Sequence, residues 1–351
     1  MHPSTSVPNS NKTSTHNGCA NSLINDIPYI DLEVNLPELI QDAKKVIKEV
    51  FPLWHKNDLK FVQCKDGITN QLVRVTGSKG SVLVRAYGKG SERFIDRKQE
   101  IIANLAPPLF ARFRNGLVYG FIEGRVSQVE DLRSPKMAKW IATRMAQWHK
   151  VELPGQTKEP ILVKNMRSWF DQVPEKYIDP ITQATFQRHF NMKQLRAEMN
   201  ALIEHIEKLD SPVVFSHNDL LYGNIIYNDH KEEAYFIDYE YGGYAFRGFD
   251  IGNHFNEHCG FECDYSKYPS KDFQLEWIKW YLQAGEETPS NDDINRLYDE
   301  ANVFSLLSHY YWGLWGLIQA MVSDIDFDYM EYAVHRFSEY NRRKRQRPGV
   351  P

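Results

Sequence analysis

Four residues of this 351-residue chain, His217, Asp219, Asn224 and Asp238, have the types and spacing to do chemistry together. They lie in the stretch 213–257, VVFSHNDLLYGNIIYNDHKEEAYFIDYEYGGYAFRGFDIGNHFNE. An apolar run at 213–215 leads into His217-Asn218-Asp219, and Asn224 stands just before a second apolar run at 225–227. A turn-like charged segment at 228–233 precedes Tyr235-Phe236-Ile237, a short buried strand that ends on Asp238. A loop carboxylate fixed between two strands can orient a hydroxyl group and accept its proton. A second carboxylate and an amide oxygen are hard ligands suited to Mg2+. Asp219 is therefore the candidate base, with His217 beside it in the catalytic set and Asn224 and Asp238 as candidate Mg2+ ligands. Transfer of a phosphoryl group to an alcohol asks for this layout.

The spacing H-N-D-L-L-Y-G-N matches the H-R-D-x-x-x-x-N of protein kinases, and Asp238 stands where their D-F-G aspartate would follow. The plain alternative is a turn-forming loop, since turns favour Asn and Asp. A second aspartate in the right strand context weighs against it. Upstream, Arg85 ends a strand in V-L-V-R-A-Y-G, where a kinase fold places the cation that holds the α- and β-phosphates. Arginine can do so with two parallel hydrogen bonds. Glu100, on a helix expected at 94–105, can face it. The turn Asp66-Gly67-Ile68-Thr69-Asn70 offers backbone N–H groups to phosphates, although it lacks a three-glycine pattern. The connection Phe121-Ile122-Glu123-Gly124 offers backbone groups to an adenine edge.

These residues need elements to position them. Apolar spacing predicts a helix over 36–54. Strands follow at 59–63, 71–76, 81–87, 109–113 and 117–122, the last two around the hairpin signal Asn115-Gly116. After Pro135 the pattern is mostly helical, at 136–150, 192–209, 271–282, 292–321 and 327–340, while 154–184 is polar and fits no element clearly. Residues 1–22 read as a flexible tail, too poor in large apolar side chains to order themselves. Residues 342–351 read as a short basic tail, with a solvated end as the plain reading. The expected units are 23–123 for phosphate binding and 124–341 for the catalytic loop, metal and substrate. The fold class is α+β, a small N-terminal lobe with an antiparallel sheet and a larger, mostly helical C-terminal lobe.

Composition narrows the function classes. Apolar residues at 42% and charged residues at 25% are ordinary for a globular protein, which excludes wholesale disorder. A net charge of −4 gives no global basic field for nucleic acid. Four cysteines make no disulfide framework and no signal-peptide pattern opens the chain, so a cytoplasmic protein is expected. The uncharged run 303–322 is long enough to cross a bilayer. Its aromatic residues sit mid-run instead of at the ends, so a buried helix lining a site is the better reading. His254, His258, Cys259 and Cys263 raise a structural zinc as an alternative of another class, although four ligands within ten positions crowd the geometry.

The assembled motifs resemble those of the choline/ethanolamine kinase family from about residue 36 to 340. The matching segments are S-H-N-D-L-L-Y-G-N-I-I-Y-N, F-I-D-Y-E-Y-G-G-Y, F-D-I-G-N-H-F-N-E and S-H-Y-Y-W-G-L-W-G-L-I-Q-A. The resemblance implies a protein-kinase-like two-lobed fold and ATP-dependent phosphorylation of a small amino alcohol. Asn256 before Glu257, with His258-Cys259-Gly260-Phe261 after it, points to the ethanolamine subgroup and the first step of the CDP-ethanolamine route to phosphatidylethanolamine. A choline or dual-specificity kinase is the alternative, and an inactive kinase-like binding protein is the alternative of another class. By the same resemblance Asp219 accepts the hydroxyl proton and Asn224 and Asp238 hold Mg2+. Arg85 takes the place of the strand lysine, with Glu100 its partner. Tyr241, Glu257, Trp312, Trp315 and Tyr332 line the amino-alcohol pocket, where rings attract a cation through their quadrupoles. Asp250 braces the catalytic loop, and members of the family often form homodimers, although no feature of this sequence demands one. Between Glu100 and Pro107 the chain is several residues shorter than the family pattern, which would truncate the helix carrying Glu100.

Overall fold

The computed structural model describes residues 27–55, 58–64, 70–87, 107–153, 156–285, 288–323, 325–347 and 349–350. The expected tail at 1–22, the 94–105 helix with Glu100, the shortened stretch before Pro107 and the turn at 66–69 lie outside them, as does the Asn70 side chain.

An N-terminal six-stranded sheet has the order β1-β5-β6-β4-β3-β2, with β1 Tyr29–Ile30, β2 Lys60–Cys64, β3 Asn70–Gly77, β4 Gly80–Tyr87, β5 Leu109–Phe113 and β6 Gly116–Gly120. Every pairing is antiparallel except β1 with β5. Strand alternation decides what faces where. Val73, Val75, Val82, Val84 and Ala86 are buried with Ala43, Val46 and Ile47 of helix α1 (Leu39–Val50). Arg85 lies between Val84 and Ala86 in the sequence and so projects from the opposite face, toward the second lobe.

The chain crosses at Gly124, whose φ of +150° suits glycine, and a Cβ there would meet the Tyr227 carbonyl at 2.3 Å. Beyond it β7 (Arg125–Val126) pairs with β9 (Ile225–Asn228), which pairs in turn with β10 (Glu233–Phe236). A separate ladder joins β8 (Val213–Ser216) to β11 (Gly243–Phe246). Around these small sheets pack α2 Pro135–Trp148, α3 Ile161–Gln172, α4 Pro180–His189, α5 Met192–Glu207, α6 Arg247–Glu257, α7 Lys271–Gln283, α8 Asn291–Val322 and α9 Tyr329–Arg345. The mixed α+β, two-lobed organisation agrees with expectation. The stretch 154–184, which fitted no element in the sequence, holds α3 and the start of α4.

The uncharged run belongs to α8, whose residues from Phe304 through Ile318 are all buried. A helix apolar all round is a core helix here. Among the described residues no helix is long and apolar enough to cross a membrane. Gly252 lets α6 approach it closely, since a Cβ there would stand 2.3 Å from the Ala301 carbonyl. The basic tail needs correction, because α9 continues to Arg345. Arg343 is buried there, donating to Asn302 Oδ1 at 3.0 Å and lying over the Tyr268 ring. A helix end that finds acceptors and an aromatic face in the core does not fray into solvent.

Candidate active site

The loop between β8 and β9 carries Asp219, and a short 3-10 turn, Tyr222–Asn224, delivers Asn224 to the start of β9. Asn224 closes the loop. Its side-chain amide nitrogen donates to the Asp219 carbonyl at 2.8 Å and to Asp219 Oδ2 at 3.3 Å, while its backbone carbonyl accepts from Ile237 N at 3.0 Å. That last bond sets Asp238 beside the loop. With the amide nitrogen committed, the oxygens of Asn224 and Asp238 are the hard donors that suit a divalent cation.

The backbone here departs from regular geometry. Asn218 has φ +66° and Asp238 φ +60°, left-handed conformations that a non-glycine residue holds only when its surroundings impose them. For Asn218 the constraint is Asp250, fully buried in α6. Its carboxylate accepts from His217 N and Asn218 N, each at 2.8 Å, and from His149 Nε2 at 2.9 Å. His149 Nδ1 accepts in turn from the Tyr281 hydroxyl at 2.8 Å. Burial would raise the Asp250 pKa, but His149 and the loop N–H donors outweigh it and hold the group below the usual carboxylate range.

His217 needs correction as a catalytic group. Its ring is fully buried among Trp148, Phe236 and Tyr239, and its Nε2 donates to the Ile237 carbonyl at 2.9 Å. Burial lowers its pKa. It therefore fixes the strand end before Asp238 and is placed as a positioning residue.

Arg85 reaches across from β4. Its guanidinium donates to Asp238 Oδ1 at 2.6 Å and to Glu240 Oε2 at 2.9 Å. Glu240 was not anticipated, although it lies inside the Y-E-Y of a motif already recognised. The anticipated Arg85–Glu100 pair falls outside the described residues. Ile122 follows β6 in the crossing segment and, among the described residues, its backbone makes no hydrogen bond.

The expected pocket residues come together. The Tyr241 and Trp312 rings stand 5.1 Å apart, Trp312 and Trp315 5.6 Å, and Trp315 and Tyr332 6.2 Å, all edge-on. Trp315 Nε1 donates to the Tyr241 hydroxyl at 3.1 Å, and Trp312 Nε1 to Asn253 Oδ1 at 2.9 Å. Trp169 of α3 adds a ring against Tyr241 and Trp312. Phe327 and Phe261 extend the aromatic surface from Tyr332 to Tyr222. Glu257, at the end of α6, receives Arg336 Nη1 of α9 at 3.3 Å. The pocket joins the loop directly, because Asn218 Nδ2 donates to the Tyr241 carbonyl at 2.9 Å.

Electrostatics follow from this crowding. Burial first, then the carboxylates of Glu257, Asp238 and Glu240, push Asp219 well above the usual range, and Asn224 opposes them. Burial also raises Glu257, against the pull of Arg336. His254 Nδ1 donates to the Leu220 carbonyl at 3.0 Å and burial lowers that ring's pKa to about 4, but the zinc alternative fails on the placement of the other candidate ligands. Among the described residues no three of His, Cys, Asp or Glu are arranged to share a metal ion.

His149, Glu240, Arg336 and Trp169 were missed by the sequence reading. Glu240 had a signal in its motif, and Trp169 lay in the stretch that fitted no element. His149 and Arg336 carry none beyond their partners, 101 and 79 positions away.

Comparison with known proteins agrees with this geometry. The family model described as choline/ethanolamine kinase matches residues 61–341. Ethanolamine kinase 2 of Rattus norvegicus is 39% identical over 332 residues, covering 91% of this chain and 85% of that protein. A probable ethanolamine kinase of Arabidopsis thaliana is 38% identical over 339 residues, covering 91% and 90%. Among solved structures, a Plasmodium vivax ethanolamine kinase superposes with a TM-score of 0.78 at 28% identity, covering 92% of each chain. A choline kinase of Cryptosporidium parvum superposes with a TM-score of 0.71 at 26% identity, covering 87% of this chain and 95% of that one. A carboxylate loop of kinase spacing, an arginine reaching it from the N-terminal sheet and an aromatic pocket bonded to that loop thus meet in one chain, which belongs to the choline/ethanolamine kinase family.

Proposed function

We propose that the protein phosphorylates ethanolamine with ATP to give phosphoethanolamine, the step that opens a CDP-ethanolamine route to phosphatidylethanolamine. The observation that carries this reading is the Asn218–Tyr241 hydrogen bond, which fixes the first wall of the pocket one residue from Asp219. A small amino alcohol with its ammonium against Trp312, Trp315, Tyr332 and Glu257 is short enough to leave its hydroxyl at Asp219. Rings and a carboxylate together suit a cation with N–H donors.

In this reading Asp219 orients the hydroxyl and takes its proton at a carboxylate oxygen as the new P–O bond forms and the bond from the γ-phosphorus to the bridging oxygen breaks, releasing ADP. Asn224 and Asp238 would hold Mg2+, which neutralises phosphate charge when bound. The fit rests on charge as well as ligand type. The charges of Glu257, Asp238 and Glu240 raise the pKa of Asp219, and Arg85 and Arg336 stand as the basic partners of that cluster. Arg85, held by Asp238 and Glu240, is the cation we assign to the phosphates, and Glu100 and Asn70 are the further nucleotide contacts. Ile122 offers its backbone to the adenine. Residues 23–123 serve phosphate binding and 124–341 the catalytic and substrate functions. The reading extends to cytoplasmic placement and a homodimer, which fractionation and light scattering test.

Choline is the second reading, favoured by the same four rings, which also suit a trimethylammonium group. The test is ADP release measured with ethanolamine, with choline and with no acceptor, with and without Mg2+, on wild type and Asp219→Asn. Ethanolamine-dependent, Mg2+-dependent release that falls about 10³-fold in the variant supports the reading. A higher kcat/KM for choline overturns the subgroup, and no turnover of either alcohol leaves an inactive kinase-like binder.

A further inference from the structure

Arg336 is a fully enclosed cation on α9, 3% exposed, and nothing in the reaction scheme above requires it. Its Nη1 donates to Glu257 Oε1 at 3.3 Å. Its Nη2 donates to the Ser308 carbonyl at 3.1 Å and to Ser308 Oγ at 2.9 Å. Ser308 therefore stands at a junction. Its hydroxyl donates to Asn253 Oδ1 at 2.7 Å and also accepts from Asn256 Nδ2 at 3.0 Å. A hydroxyl has one proton and two lone pairs, so this one is saturated and has a single orientation. Asn253 Oδ1 is saturated as well, since it accepts both Ser308 Oγ and Trp312 Nε1. The Asn253 amide nitrogen then donates to the Asn218 carbonyl at 3.3 Å, one residue from Asp219. One chain of buried polar contacts runs from the pocket carboxylate, through Arg336 and Ser308, to the pocket tryptophan and the catalytic loop.

We propose that Arg336 is a positioning residue that locks Glu257 and Trp312 into one rigid ammonium-binding unit and thereby sets the preference for ethanolamine over choline. The inference rests on the amino-alcohol reading of the pocket. With Oε1 of Glu257 held by Arg336, no donor among the described residues reaches Oε2, which is left to accept a hydrogen bond from the substrate nitrogen. A primary ammonium has N–H groups to give, whereas a trimethylammonium has none and depends on the rings alone. Fixing the carboxylate therefore favours the first far more than the second. Arginine suits the task because its planar fork spans Glu257 and Ser308 at once and stays charged when buried.

The test uses the full-length protein with Arg336→Gln, Arg336→Lys and Ser308→Ala. In Arg336→Gln the KM for ethanolamine should rise about tenfold or more, because the buried carboxylate loses its partner. Its kcat and its KM for ATP should stay within about threefold, since an interaction equal in ground and transition states affects KM alone. The ratio of kcat/KM for ethanolamine to that for choline should fall by a similar factor. Arg336→Lys, which keeps the charge but not the fork, should recover part of both. Ser308→Ala leaves both charges in place and removes only the junction, so it decides the matter if Arg336→Gln fails to fold. Its KM for ethanolamine should rise about threefold, on the scale of one lost buried hydrogen bond. Folded variants with wild-type KM and wild-type substrate ratio overturn the inference. A wild type that turns over ethanolamine while the variants do not differ from it condemns this proposal alone. A wild type that neither binds ethanolamine by calorimetry nor phosphorylates it condemns the reading of the pocket, and the inference with it.

Discussion

Asp250→Asn is the sharpest probe of how the catalytic loop is held. The substitution keeps the shape of the side chain and removes its charge. The native carboxylate accepts three hydrogen bonds, two from loop backbone N–H groups and one from His149. Oδ2 takes two of these bonds and Oδ1 the third, so an asparagine with its oxygen at the Oδ2 position keeps two, both without the charge, and turns its NH2 group on the Asn218 N–H. Hydrogen bonds to a charged group contribute about 1.5–3 kcal/mol each, and a variant that relaxes partly should lose about 3 kcal/mol of stability. The loop carries a second cost, because Asn218 keeps its left-handed φ of +66° only under that constraint. Displacing a catalytic group by about 1 Å costs about 10²-fold in rate. We therefore expect kcat for ethanolamine to fall about 10²-fold, with the KM for ethanolamine changed far less, in a coupled assay for ADP. Stability against pH supplies an independent check. Asp250 is depressed in the folded state, so its contribution is present above the unfolded value of about 4 and is lost as pH falls through the lower folded value. The gap in urea-unfolding stability between wild type and variant should close below about pH 4. A folded variant with kcat within threefold of wild type, or a gap that widens in acid, would refute the reasoning.

The charge on Glu257 raises the pKa of Asp219. Glu257→Gln should therefore move the acid limb of kcat, measured at saturating ethanolamine, to lower pH; an upward move would contradict the assigned coupling. Gly252→Ala places a methyl group against the α8 backbone, where its Cβ would lie 2.3 Å from the Ala301 carbonyl. Thermal unfolding should show a loss of about 1–3 kcal/mol, the usual cost of overpacking, and an unchanged Tm would mean that α6 and α8 separate freely.

Local pattern made much of this molecule readable. The strands of the N-terminal sheet announce themselves by alternation, and Arg85 is singled out because it ends the strand where a kinase fold places a phosphate-binding cation. The catalytic loop is legible because its chemistry is confined to the twenty-two residues from His217 to Asp238. Helix α8 is legible because its run lacks charges and carries its aromatic residues mid-run, which marks a buried helix and not a membrane span. The rest depends on pairs of distant residues. Periodicity marks α9 as amphipathic, yet it cannot say that Arg336 will meet Glu257 or that Arg343 will reach Asn302. His149 ends an ordinary amphipathic helix, and only the fold brings it to Asp250. His217 shows the opposite error: its motif position put it in the catalytic set, but three aromatic neighbours enclose it. Trp169 was obscured because the polar, proline-containing stretch around it masks the helical spacing of Leu162, Met166, Trp169 and Phe170.

Helix α8 has a consequence for how the substrate range of such a protein can drift. Trp312 and Trp315 belong to the same continuous buried segment as Leu314, Leu317 and Ile318. On the proposed reading of the pocket each indole answers to two demands, recognising a ligand and filling the interior, and a change that suits a new ligand leaves a void or a clash in the lobe. Selection can act more freely where the aromatic surface meets solvent. Phe327 is 37% exposed, and Phe261 and Tyr222 are partly so. Substitutions there alter the entrance without emptying the interior, so lineages with different alcohol preferences should diverge first at that rim.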